Sequence, residues 1–154
     1  MRPFWLIADF VRGVRRQMQF GELTRAPIRL LRLEWRGETA ECDWVARPAD
    51  RWDADLPRRL GDEHVSMQAL QDAIEVRELL FTALPDVETA SLRVFRQSAG
   101  GTLDLIVTGT VDRGQEIPRH VASVAMRAKL LGFQFWFEGV ALASLQSEEC
   151  AMNV

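Results

Sequence analysis

Residues 92–139 read LRVFRQSAGGTLDLIVTGTVDRGQEIPRHVASVAMRAKLLGFQFWFEG, and the rest of the chain is organised around them. Leu92, Val94, Leu103, Leu105 and Val107 alternate along two runs joined by Ser98-Ala99-Gly100-Gly101. Period-two alternation places one set of side chains on one face of a β-hairpin. Ile117, Val121, Val124, Ala128 and Leu131 then recur at helical spacing, and Phe133, Phe135 and Phe137 alternate again. The order is hairpin, helix, strand. A turn at Ala99-Gly100 or over Ser98–Gly101 sets Val94 opposite Leu105 and Leu92 opposite Val107, facing the core. Phe95 and Ile106 fall on the other face, as Trp136 does on the last strand. The sheet therefore has a second apolar face that needs a cover. Gly109 marks a bulge. Pro118 suits the first turn of the helix and Gly132 its C-cap.

Upstream, residues 67–84 read as a helix. Ser66 is a good N-cap, and Val65 and Leu70 stand where a hydrophobic staple needs them. Leu70, Ala73, Ile74, Leu80, Phe81 and Leu84 form its buried face, Gln68, Gln71, Asp72, Glu75 and Glu78 its wet one, and Pro85 stops it. Residues 28–47 read as another hairpin, turning at Gly37-Glu38. Trp35 then pairs with Ala40, Leu33 with Cys42 and Leu31 with Trp44 on the core face. The outer face pairs Arg32 with Asp43 favourably and Glu34 with Glu41 unfavourably, with Arg36 placed diagonally to relieve the latter. Cys42 reads as a small core residue rather than a nucleophile. Residues 48–65, with two prolines and clustered charge, read as an irregular connector draped over the core by Trp52. Residues 4–20 read as an amphipathic helix, with Phe4, Ile7, Val11, Val14 and Met18 on one stripe and Arg12, Arg15 and Arg16 opposite.

The fold class implied is α+β, in the order α-β-β-α-β-β-α-β. An antiparallel sheet of about five strands, made of two hairpins and a C-terminal strand, is packed by about three helices. One domain is expected over residues 1–154. It divides into a helix plus hairpin (1–47), the connector (48–65), an α-β-β-α-β core (66–145) and a polar tail (146–154). That α-β-β-α-β order, with Thr108-Gly109-Thr110-Val111 ending a strand, resembles the BON domain of bacterial envelope proteins over less than half of the chain. The resemblance implies a fold and no function.

Hydrophobic residues are 47% of the chain and charged residues 27%, the balance of a globular protein. The net charge of −3 is unevenly spread: residues 1–60 carry 12 Arg and 9 acids, residues 61–154 carry 6 Arg, 1 Lys and 13 acids. The excess of Arg over Lys reads as GC-rich bacterial codon usage. The basic half is too mild to claim nucleic acid by itself. Arg25, Arg29, Arg32 and Arg36 line the first hairpin, but Glu34, Glu41 and Asp43 interrupt the row, and Trp35 and Trp44 face the core rather than a base. Two cysteines without disulfide density, and an apolar start broken by Asp9 and Arg12, point to the cytoplasm.

Site chemistry is sparse. Glu116 and His120, four apart at the start of the expected helix, would share a face as a proton relay or half a metal site. His64 follows Asp62 and Glu63 in the connector. No zinc spacing, phosphate loop or nucleophile elbow occurs, and no cofactor or metal is expected. The favoured reading is a non-catalytic assembly subunit, a homodimer or other oligomer. It self-associates through Phe4, Trp5, Ile7 and Val11 of the first helix and through the Phe95, Ile106 and Trp136 face. The alternatives are a small-ligand protein or enzyme with a pocket near Glu116 and His120, and a peripheral membrane or nucleic-acid binder acting through the Arg-rich N-terminal half, with residues 4–20 as the membrane-facing segment.

Overall fold

The computed structural model describes residues 28–49 and 55–145. Strand β1 (Arg29–Arg36) turns into β2 (Thr39–Val45), helix α1 (Arg58–Ala83) follows, and β3 (Thr89–Gln97) and β4 (Leu103–Asp112) form a second hairpin. Helix α2 (Val124–Leu131), β5 (Phe133–Gln134), β6 (Phe137–Glu138) and β7 (Ala141–Leu142) complete the chain. The helix expected over 4–20, Trp52 and the polar tail lie outside the described residues.

Five strands make one sheet in the order β1-β2-β3-β4-β5, and β6 with β7 make a small hairpin beside it. The sheet is mixed, not antiparallel throughout: β2 and β3 run parallel, while its other neighbours run antiparallel. The reason is the helix between them. Twenty-six residues of α1 span about 39 Å, more than the roughly 23 Å of seven-residue β2. One helix therefore returns the chain to the end of the sheet where β2 began, and β3 must run the same way as β2.

The first hairpin turns at Gly37, whose φ of 59° is left-handed and suits the first central position of a II′ turn. Trp35 pairs with Ala40 and Leu33 with Cys42, as the alternation implied, but a bulge after Leu30 puts Leu30, not Leu31, opposite Trp44. Leu31 is left exposed. The shift keeps Arg32 opposite Asp43 on the outer face. Arg32, rather than Arg36, separates the facing carboxylates: its Nη1 donates to Glu34 at 3.2 Å, its Nη2 to Glu41 at 2.9 Å and its Nε to Asp43 at 3.3 Å. Arg93 adds a two-pronged grip on Asp43 at 3.0 and 2.6 Å.

The second hairpin also carries a bulge. Val94 pairs with Val107 and Leu92 with Gly109, so the register expected for Leu105 and Val107 is displaced. Ile106 is the extra residue and joins the core, while Leu105 pairs with Phe95 on the outer side. Gly109 is not a bulge. It sits in a regular row between Leu92 and Phe133, and a Cβ there would stand 2.6 Å from the Gly132 carbonyl oxygen and 2.9 Å from the Phe133 Cα. Glycine is what lets β5 lie against β4.

The core fills one face of the sheet. Trp44, Cys42, Leu92, Val94 and Val107 meet Leu70, Ala73, Leu80 and Phe81 of α1, with Ala128, Leu131 and Phe133 closing the far side. Helix α1 begins about two turns earlier than the connector pattern implied, so Ser66 is not a cap. It is buried inside the helix, and its Oγ accepts a hydrogen bond from the Leu142 amide at 3.1 Å. Arg77 of α1 is buried and donates to the Asp112 and Gln115 carbonyls at 2.6 and 2.9 Å. Arg113 donates to the Leu84 and Val87 carbonyls at 2.7 and 2.8 Å. Both guanidinium groups lie over Phe81, so the end of α1 is tied to the end of β4 through charge and ring together.

Helix α2 is shorter than its apolar spacing suggests. Ser123, five residues after Pro118, caps it by accepting from the Met126 amide, and Gly132 ends it at φ 111°. The C-terminal aromatics do not form one strand. Phe135 is buried between β5 and β6, meets Phe137 edge to face at 5.8 Å and holds the Lys129 ammonium 4.6 Å from its centroid. The amide of Leu145 donates to the Leu105 carbonyl at 2.7 Å, bringing the end of the described chain alongside β4.

Candidate functional site

One parallel pair, β2 and β3, leaves a cleft beyond its carboxyl ends. Here β2 ends at Val45 beside Phe95 of β3, and the Ala46 amide still donates to the Phe95 carbonyl at 2.8 Å. The next residue, Arg47, leaves the sheet at that end. Arg29 of β1 lies opposite Val45, and Arg96 follows Phe95. Strand geometry thus gathers three arginines from three neighbouring segments.

They line a cleft of about 460 Å³, within the size range of small-molecule sites. Asp62, Val65 and Ser66 of α1 form its opposite wall, and Gln97 and Ala141 close it. Asp62 is the sole carboxylate among the described lining residues and lies 4.0 Å from Arg58. Arg96 is held in place by donating from Nη1 to the Leu142 carbonyl at 2.8 Å.

Arg47 is the unusual member. Its side chain is only 4% exposed. Its Nε stands 2.9 Å from the Oδ2 of Asp72, which is also buried, on α1. The charges touch, but the N–H does not point along that line. Neither Nε nor Nη1 of Arg47 makes a hydrogen bond, and Oδ2 of Asp72 accepts none. The other oxygen of Asp72 accepts from Gln68 Nε2 at 2.7 Å. Burial pushes the Asp72 carboxyl up to about 6, against the pull of Arg47 and Gln68, and Glu75 adds to the rise. Unbonded buried N–H groups at the wall of a cleft are costly and are uncommon in folded proteins.

The outer face of the sheet offers a contrast. A second cleft there is lined by Asp43, Ser91, Arg93, Thr108 and Gln134. Both oxygens of Asp43 are taken by Arg93, with Arg32 joining on Oδ2, so this network reads as structural. The Cys42 thiol is fully buried and pushed up to about 12 by burial, reinforced by Asp43. It stays protonated and unreactive.

The residues singled out by sequence are scattered. Glu116 and His120 are exposed in the segment between β4 and α2, so they do not share a helix face, and neither lines the arginine cleft. His64 is exposed on α1, next to cleft residues Val65 and Ser66 without lining it. Phe95 is half-buried with Arg93 over its ring, Ile106 is in the core and Trp136 is 46% exposed. Phe4, Trp5, Ile7 and Val11 lie outside the described residues. Among the described residues no group of His, Cys, Asp and Glu is arranged to hold a metal ion, and no helix is long and apolar enough to cross a membrane.

Arg47 and Asp72 carried little signal. Asp72 falls in the polar stripe of α1, and Arg47 is the last residue of the expected hairpin, just before the connector. Only the parallel register brings them together. No protein-family model matches the sequence, and comparison with curated proteins and with solved structures gives no match. The order α1-β3-β4-α2-β5 is that of the BON resemblance, which carries no argument beyond this order.

Proposed function

We propose that the protein is a small-ligand-binding module whose site is the cleft beyond β2 and β3. The observation that carries this reading is the gathering of Arg29, Arg47 and Arg96 around a cleft of about 460 Å³ whose sole described carboxylate is Asp62. Arginine does not exchange protons near neutral pH, so a site built on it is suited to binding and orientation rather than acid-base chemistry. Ligand-observed NMR with anionic, cationic and neutral fragments tests the reading, with Ala49→Trp as control. Ala49 is exposed and lines the cleft, so an indole there fills the site without entering the core. Fragments should bind the native chain and lose binding in the variant. Absence of binding by every fragment class, or binding indifferent to Ala49→Trp, overturns it.

A second reading is self-association. Trp136 is 46% exposed, and Met126 and Leu130, one turn apart on α2, are 51% and 40% exposed. Aromatic and Met side chains are enriched at protein interfaces. The Phe95, Ile106 and Trp136 face expected from the alternation does not carry this reading, because Ile106 is in the core. Light scattering during size-exclusion chromatography tests it: a dimer that Trp136→Ser converts to a monomer supports it, and a strict monomer at tens of micromolar counts against it.

A further inference from the structure

We propose that the group recognised in this cleft is an oxyanion, a phosphoryl or carboxylate group held by the Arg47 guanidinium, and that its binding takes up a proton on Asp72. The inference rests on the cleft being a ligand site and names the chemistry that site selects.

The argument starts from unmet hydrogen bonds. Arg47 offers N–H groups in a planar fork, and the carboxylate nearest to it leaves Nε and Nη1 without an acceptor. Those two atoms are sealed from the cleft, which meets Arg47 as a buried charge rather than as an open fork; an oxyanion answers that charge with charge-assisted bonds about twice as strong as neutral ones. Arg29 and Arg96 add positive charge from the adjacent strands, while Asp62 is the sole opposing carboxylate among the described lining residues. The cleft therefore has a net positive lining with a dry cationic anchor. A cationic ligand would meet three guanidinium groups, and an apolar one would leave their charge unanswered.

Proton uptake follows from Arg47 having two suitors. The charged groups facing Asp72 are Arg47, from the segment after β2, and Glu75 on its own helix, with Gln68 as a neutral donor. Among the described residues Arg47 is the one cation of this group. An anion that engages Arg47 draws on the charge that keeps Asp72 ionised and adds a negative neighbour to a buried carboxyl. Both effects favour the protonated form of Asp72. Asp72 already titrates close to neutrality, so a modest further rise brings the change into the range from pH 6 to 7.

The test is isothermal titration calorimetry of the full chain with four probes of similar shape: phenylphosphate, benzenesulfonate, benzoate and benzyl alcohol. Phenylphosphate against benzoate distinguishes a phosphoryl from a carboxylate source. Benzenesulfonate does not titrate between pH 5 and 8, so any proton it takes up belongs to the protein. Oxyanion probes should bind and benzyl alcohol should not. Arg47→Leu alone strands Asp72, so the informative variant is Arg47→Leu with Asp72→Leu, which removes the buried pair together. It should weaken oxyanion binding by at least about tenfold, while Arg29→Gln, at a more exposed position, weakens it less. With benzenesulfonate at pH 6.5, heats measured in buffers of different ionisation enthalpy should reveal proton uptake that disappears in Asp72→Asn. Equal binding of benzyl alcohol, or unchanged affinity in the double variant, overturns the oxyanion assignment. Binding without proton uptake, or uptake that persists in Asp72→Asn, overturns the linkage. If probes bind and Ala49→Trp blocks them but charge makes no difference, the cleft reading stands and this inference fails.

Discussion

Arg47 and Asp72 meet at 2.9 Å across the interface between the parallel strands and α1, both buried, with Oδ2 of the carboxylate and Nε and Nη1 of the guanidinium outside any hydrogen bond. A pair like this is weak as a source of stability and severe when broken. Arg47→Leu should destabilise the fold by roughly 3–5 kcal/mol, because it leaves a buried carboxylate without its cation. Arg47→Leu with Asp72→Leu should cost less than that single change. Urea denaturation of the native chain and these two variants checks the order, and a double variant less stable than Arg47→Leu would contradict it.

The raised carboxyl of Asp72 makes a signed statement about pH. Burial lifts it from 3.8 to about 6, so between those values the folded chain binds a proton that the unfolded chain does not. The contribution of Asp72 to stability is then fully present below about pH 4 and lost as pH rises through 6, the opposite of a carboxylate stabilised by its partner. Asp72→Asn should remove that slope. Urea midpoints measured from pH 4 to 8 for the native chain and for Asp72→Asn should differ by an amount that changes between about pH 4 and 6 and levels off above that. Parallel curves would mean the carboxyl titrates normally.

Gly109 and Gly132 make a test of the β4–β5 contact. A methyl at Gly109 meets the Gly132 carbonyl at 2.6 Å and the Phe133 Cα at 2.9 Å, both backbone atoms, so β5 has to move. Gly109→Ala should cost about 1–3 kcal/mol as overpacking. Gly114 is open to solvent and its φ is not left-handed, and Gly114→Ala should be neutral or raise stability by up to about 1 kcal/mol. Thermal unfolding separates the two. Equal effects would place β5 elsewhere.

Arg113 does structural work that its charge alone does not reveal. It donates to the Leu84 and Val87 carbonyls and covers Phe81. Arg113→Met keeps much of the packing and removes both bonds, at a cost of roughly 1.5–3 kcal/mol. Amide hydrogen exchange should accelerate at the C-terminal turn of α1 ahead of its middle. Uniform acceleration along α1 would show that the tie is not local.

How far the fold was legible in the sequence follows from which rules are local. The pairings of Trp35 with Ala40 and Leu33 with Cys42 follow from a short turn and period two, both set by neighbouring residues. The buried stripe of α1 from Leu70 to Leu84 follows from helical spacing in the same way. The bulges after Leu30 and at Ile106 are not local: each moves one residue to satisfy contacts in three dimensions, and each shifts the partners beyond it. The parallel register of β2 and β3 depends on one long helix reversing the chain, which hairpin patterns do not encode. The site was legible least of all. Glu116 and His120 stand out in the sequence because the chain has two histidines and a spacing of four puts this pair on one face of an expected helix, which does not form there. Arg47 ends the expected hairpin and Asp72 falls on the expected wet face of α1, and their chemistry arises from burial.

The most direct measurement is an NMR titration of the full, isotope-labelled chain with benzenesulfonate, following arginine side-chain N–H signals at low temperature. The expected result is a saturable shift of the Arg47 resonances, with smaller shifts at Arg29 and Arg96 and none at Arg32 or Arg77. Shifts scattered over exposed arginines without saturation, or an Arg47 signal that does not respond, would contradict the claim that the cleft binds an oxyanion on Arg47.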